Sequence, residues 1–297
     1  MHRFYIAPEN WDPDSLILTG SEAHHARDVL RMKSGDKAVL FNGQGREITA
    51  KIVQFERDEI SLRKLHETET PPLRCRITLG QAIPKGKNMD LIVQKAVEIG
   101  AAEISPIISE RTVVELDAKE AKQKQMKWQQ VAIEAAKQCG QNWLPRVHKP
   151  RKLKDFFADP VEAAVSGRKS PTALPLRTAV PTAFDLRLIG SLQSDAQHLK
   201  KILADYANEP ESRNESPLSA SPIGRGTKRE GKQVSLEKGR VRPSSVLMMI
   251  GPEGDFTPAE LALAKSHGCR PITLGPIILR VETAAIYCLS VLSYELL

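Results

Sequence analysis

The sequence predicts an α/β protein in which a small β-rich unit precedes a mainly parallel α/β domain. Three observations carry that reading. Short runs of β-formers separated by turn residues fill residues 1–70. Strands alternate with amphipathic helices from Cys75 onward. Two glycine loops near the C-terminus each lie between an apolar strand and a helix start.

The elements follow in order. FYIA, KAVLFN, REITAKIVQF and EISLRKLH are the N-terminal strands, with Asn42-Gly43-Gln44-Gly45 as a turn. A helix is expected over 21–32, opened by a capping box of Thr19 and Glu22. Pro71-Pro72 marks the boundary, giving units 1–72 and 73–297. RITLGQAI is the next strand. NMDLIVQKAVEIG is a helix with Met89, Ile92, Val93, Ala96 and Val97 on one face, ended by Gly100. After the strand EISPIIS, residues 118–139 form a long helix with Trp128, Val131, Ala132, Ala135 and Cys139 inward. Two low-complexity inserts, 165–181 and 207–243, are rich in Pro, Ser, Gly and charge. FDLRLIGSLQSDAQHLKKILADY between them supplies a strand and a helix. The last stretch reads strand VLMMI, loop, helix 258–267, strand PITL, loop, helix 283–297.

Composition narrows the function. The 297 residues carry a net charge of +7, which favours an anionic partner. The four cysteines form no C-x-x-C pair and fit no zinc spacing, so a reduced, cytoplasmic protein without a metal is expected. The N-terminus lacks the apolar core of a signal peptide. The longest apolar run, AAIYCLSVLSYELL, is too short to span a bilayer, so no membrane association is expected.

The chemistry lies in two loops. In MIGPEGDFTPAE, Thr257 caps a helix with Pro258 at its first position and Glu260 closing the capping box. The preceding loop has no P-loop lysine and no G-x-G-x-x-G, and it carries Glu253 and Asp255. Carboxylates repel pyrophosphate but accept hydrogen bonds from ribose hydroxyls and favour a nearby sulfonium. S-adenosylmethionine fits that description. The second loop, LGPIILRVETAA, brings Arg280 and Glu282 beside the same expected pocket.

IGPEGDFTPAE followed by LGPIILRVETA resembles the paired knot loops of the SPOUT class of RNA methyltransferases. LGQAIPKGKNMDLIVQKAVEIG, SERTVVEL and WQQVAIEAAKQCGQN narrow the resemblance to the bacterial 16S ribosomal RNA uridine N3-methyltransferase (RsmE) family. RFYI and HHARDVLRMKSGD resemble that family's PUA-like RNA-binding domain. The resemblance implies a trefoil-knotted SPOUT domain behind a small β-barrel, a homodimer, and 16S rRNA in the 30S subunit as partner. It implies S-adenosyl-L-methionine held by Ile250, Gly251, Pro252, Glu253, Gly254, Leu274, Gly275, Leu279, Arg280, Thr283 and Ala284. Four positions depart from the family pattern. Asp255 replaces a glycine, Ile277 and Gln141 replace arginines, and Val281 replaces a threonine.

The expected reaction removes the proton from uracil N3 so that the nitrogen can take a methyl group. Arg280 is expected to stabilise the anion, and Glu282 to orient Arg280 or accept the proton. The target base must be unpaired or splayed out, because a duplex hides N3. Arg3, Arg27, Arg31, Lys85 and Arg111 are expected to contact RNA phosphates, and Gln138 and Asn142 a base edge. The alternative reading is an RNA-binding protein of the same fold with weakened or lost turnover, motivated by Ile277 and Val281. Taken singly, an Arg280–Glu282 pair is better read as a surface ion pair, and Trp128 is more naturally core than a base-stacking platform.

Overall fold

A computed structural model describes residues 1–112, 116–158, 184–208 and 242–297. Insert 165–181 lies outside the described residues, as do residues 209–241 of the second insert.

The N-terminal strands are β1 (His2–Tyr5), β2 (Leu16–Thr19), β3 (Lys37–Phe41), β4 (Arg46–Phe55) and β5 (Glu59–Glu69). They form one sheet in the order β1-β3-β4-β5-β2, parallel at β1–β3 and antiparallel elsewhere. Alternation drives it. In β2, Leu16 and Leu18 are buried while Ile17 and Thr19 face out, and Phe4, Leu40, Ile48 and Ile60 join them in one core.

The helix expected over 21–32 is shorter. Helix α1 (Gly20–His24) runs into a π-helical turn, His25–Val29, and the chain leaves it through Arg31 at φ 53°. The expected capping box does not form. Thr19 is the last residue of β2 and makes no cap bond. The Glu22 carboxylate instead accepts from Lys137 Nζ at 3.1 Å.

The second body contains β6 (Arg76–Ala82), α2 (Asn88–Ile99), β7 (Glu103–Ile108), α3 (Ala118–Cys139), β8 (Arg146–Val147), β9 (Arg151–Lys152) and α4 (Leu153–Ala158). It continues with β10 (Leu186–Gly190), β11 (Gln197–His198), α5 (Leu199–Asn208), β12 (Ser245–Ile250), α6 (Pro258–Ser266), β13 (Arg270–Thr273) and α7 (Val281–Leu296). Among the described residues eight strands make one sheet, β11-β13-β10-β12-β6-β7-β8, with β9 also on β7, and every pairing is parallel. Both faces are covered, so the central strands read as continuous apolar runs; all six residues of β12 are buried. The order is interleaved: β12 lies between β6 and β10, and β13 between β10 and β11.

The helical periodicities hold. The expected α2 stripe is buried, and Gly100 ends the helix at φ 95°. In α3, Trp128, Ala132 and Ala135 are buried, but Ala136 completes the stripe and Cys139 is exposed, because the last turn runs past the core. Trp128 donates to Asp90 at 3.1 Å, which satisfies its buried indole.

The two bodies are joined by backbone. Gln44 bridges Trp143, Gly45 N donates to Asn142 O at 3.0 Å, and Leu144 N donates to Gly43 O at 3.0 Å.

Candidate functional site

Strands β13, β10 and β12 are neighbours, and all three run in one direction. Their C-terminal ends therefore reach the same edge of the sheet, where parallel α/β sheets bind ligands. Each end carries an apolar residue and a glycine: Leu274-Gly275, Ile189-Gly190 and Ile250-Gly251. The first and last belong to the two loops singled out in the sequence. The middle one forms a third wall that sequence reasoning missed, although the LIGS run repeats the same apolar-glycine step.

The first loop, 251–256, is fixed at both ends. Thr257 Oγ1 accepts from Glu260 N at 3.2 Å, and Glu260 Oε2 accepts from Thr257 N at 2.9 Å, so the expected capping box forms. Glu260 is buried and also accepts from Ser109 Oγ (3.0 Å) and Glu110 N (2.9 Å). That arrangement satisfies a buried carboxylate and anchors α6 to the segment after β7. Within the loop, Asp255 has φ 62°. This left-handed conformation suits glycine and is tolerated by aspartate. Glu253 Oε1 accepts from Lys85 N at 2.9 Å, so one of its oxygens holds the β6–α2 connection.

The second loop turns at Gly275, φ 122°, with nothing within 4 Å of where a Cβ would stand. Helix α7 begins at Val281, two residues before the expected 283, with Arg280 as its N-cap residue. Glu282 sits in the first turn, where the helix dipole favours a negative charge. Arg280 and Glu282 do not pair. Glu282 Oε2 instead accepts from Asn88 Nδ2 at 3.3 Å, so Glu282 does not orient Arg280 as expected. Among the described residues the Arg280 side chain has no hydrogen bond or ion pair, and it is exposed.

These loops enclose a cavity of about 460 Å³. Of the expected residues, Ile250, Gly251, Pro252, Glu253, Leu274, Gly275, Leu279, Arg280, Glu282 and Ala284 line it. Gly254 and Thr283 do not; Thr283 faces a separate groove between α5 and α7. The lining also includes Asp255 and Ile277, two of the departures noted in the sequence, and residues not foreseen, among them Asn88, the 190–192 wall and Ile278; Ile277 and Ile278 are exposed. Three carboxylates (Glu253, Asp255, Glu282) and one cation (Arg280) line the cavity. The lining therefore disfavours a phosphate and suits a positively charged ligand.

The expected RNA contacts divide. Lys85 and Arg111 are exposed beside the first loop, where the Arg111 guanidinium donates to Gly254 O. Gln138 and Arg31 are exposed as well. Arg27 clasps the β4–β5 turn through the carbonyls of Glu56, Arg57 and Glu59. Arg3 and Asn142 are engaged with each other at 2.7 Å. Arg3 also pairs with Glu47 and lies over the Phe41 ring, while Asn142 donates to Thr70 Oγ1 at 3.0 Å. With those polar atoms bonded internally and Asn142 buried, the pair serves as a link between the two bodies. Histidines 24 and 25 diverge: His24 pairs with Asp28 at 2.6 Å, and His25 packs edge-on to Phe4. Among the described residues no cluster suited to a metal is present, and no helix is long and apolar enough to cross a membrane.

The RNA methyltransferase domain model matches residues 71–176 and 193–293, and the RNA methyltransferase PUA domain model matches 18–65. Ribosomal RNA small subunit methyltransferase E of Bacillus subtilis (strain 168) is 29% identical, over 99% of this chain and 97% of that protein. A Legionella pneumophila protein solved in complex with the cofactor SAM is 29% identical with TM-score 0.72, covering 98% of this chain and 96% of that one. Ribosomal RNA small subunit methyltransferase E of Neisseria gonorrhoeae, bound to S-adenosyl methionine, is 25% identical with TM-score 0.69, covering 99% and 97%.

Proposed function

This chain belongs to the RNA methyltransferase domain family, with that family's PUA domain at its N-terminus, and on that premise we propose that it methylates N3 of a uridine in small-subunit (16S) ribosomal RNA. The observation that carries the reading is the cavity itself: three glycine-ended strands meet around a space lined by three carboxylates and one arginine. S-adenosylmethionine, held there by the 250–253 and 274–284 loops, supplies the methyl group. The fit is chemical. Gly275 leaves its backbone open, and the acidic lining suits a sulfonium and hydroxyls rather than phosphates.

The chain's own groups do the rest. Arg280 lines the cavity, is exposed and has no partner among the described residues, so it can stabilise negative charge on the uracil oxygens as N3 loses its proton. Glu282, held by Asn88, accepts that proton directly or through water. Lys85 and Arg111, fixed to the first loop, bind RNA phosphates at the rim. The domains divide as 1–72 and 73–297. The groove of about 870 Å³ between α5 and α7, with Tyr287, Tyr294 and Val291 on its wall, takes a second copy in a homodimer.

The test is mass-spectrometric mapping of small-subunit RNA, naked and in intact 30S particles, after incubation with the protein and labelled S-adenosylmethionine. A single 3-methyluridine supports the proposal; methylation at carbon or ribose oxygen, or no transfer to either substrate, sinks it.

A further inference from the structure

The third wall, 190–192, needs something to hold it against the first loop. It follows β10, whereas the first loop follows β12, and the two strands carry them side by side. One side chain spans them. Asp255 Oδ2 accepts from Leu192 N at 3.1 Å, while its Oδ1 accepts from Phe256 N at 2.8 Å. Leu192 itself is exposed, so its side chain is not held by the core. The wall is tied elsewhere at Ser191, whose N donates to Ile272 O at 3.0 Å, and the segment that follows it is held where Asp195 pairs with Lys265 near the end of α6. The cost of the arrangement is visible in the backbone, because Asp255 holds φ 62° to present its carboxylate this way. Its Oδ1 also stands 3.3 Å from where a Cβ on Gly251 would lie, so the clamp and the glycine turn are packed against each other.

We propose that Asp255 is a positioning residue that latches the 190–192 wall onto the 251–256 loop and so sets the width of the methyl-donor cavity. The inference rests on the reading of the cavity as the donor site. A glycine at 255 would ease the backbone but remove both bonds. An asparagine keeps one carbonyl acceptor and tolerates the same φ, so it retains part of the latch.

Two measurements on the full chain test it. Titration calorimetry with S-adenosylmethionine should give about tenfold weaker binding for Asp255→Gly, the loss of roughly one such bond's net worth. Asp255→Asn should recover part of that loss. Thermal melting of Asp255→Gly should change by only a few degrees, since relief of the positive φ offsets part of the two lost bonds. Amide hydrogen exchange, which needs no ligand, should show Leu192 losing protection in Asp255→Gly and keeping some in Asp255→Asn. Wild-type affinity in Asp255→Gly, or unchanged Leu192 exchange in it, overturns the proposal. If the wild-type protein binds no S-adenosylmethionine, the donor-site reading fails, and the exchange experiment still decides whether the latch exists.

Discussion

The indole of Trp143 fills the space in which Gly45 would carry a side chain. A Cβ at Gly45 would lie 2.8 Å from Trp143 Cζ2 and 2.7 Å from the Thr70 carbonyl oxygen, at a backbone φ of 91°. Trp143 Nε1 donates to that same carbonyl at 2.9 Å. One glycine thus lets the turn of the N-terminal sheet, the inter-domain connector and the loop after α3 meet backbone to backbone.

Gly45→Ala should therefore destabilise the protein by about 2–3 kcal/mol, combining a positive-φ penalty with clashes against one backbone carbonyl and the Trp143 ring. Urea denaturation followed by tryptophan fluorescence measures it. A change under about 0.5 kcal/mol would mean that the junction yields without resistance.

Arg280→Ala should lower turnover by about a hundredfold while leaving donor affinity within about threefold, because a group that stabilises developing charge acts in the transition state. Single-turnover kinetics and calorimetry separate the two. Equal losses would reassign Arg280 to donor binding. If the wild-type protein binds RNA and donor but transfers nothing, the weakened-enzyme reading motivated by Ile277 replaces the catalytic one.

Acid should unfold the protein partly through Glu103. Burial pushes this carboxyl up, but the His148 hydrogen bond (2.9 Å) and charge, with Arg76 beside it, outweigh burial and hold it below its ordinary 4.5. A depressed carboxyl stabilises the fold fully above its unfolded value, and that stability is lost as pH falls through the folded value. Denaturant midpoints for wild type should thus drop below about pH 4.5, and Glu103→Gln should flatten that limb.

Thiol reactivity should be all but confined to one site. Burial pushes Cys75, Cys269 and Cys288 up to about 12, whereas Cys139 is exposed. A native thiol titration should show one fast equivalent, abolished by Cys139→Ser, with the other three appearing only on unfolding.

Local signals were read well from sequence, and long-range ones were not. The stripe of α2 and the Thr257–Glu260 capping box depend on residues within one or two turns of each other. The Thr19–Glu22 capping box looked equally good, yet Glu22 is taken by Lys137, 115 residues away. Arg3 and Asn142 had the look of free RNA contacts until the fold brought them together across 139 residues. The third wall escaped because β10 stands between two inserts, and its glycine gains meaning only once β12 and β13 are seen on either side of it.

The interleaved sheet bears on synthesis. Strand β12 sits between β6 and β10, both of which leave the ribosome before it. A nascent chain stopped ahead of residue 245 has made both banks of that gap but not the strand that closes it. It presents an open edge on β6 and a β10 unpaired on both sides, since β13 is missing as well, and each is open to pairing with another chain. Premature termination near the C-terminus therefore does more than trim a margin: it leaves β10 and β11 without either of the strands, β12 and β13, that tie them into the sheet.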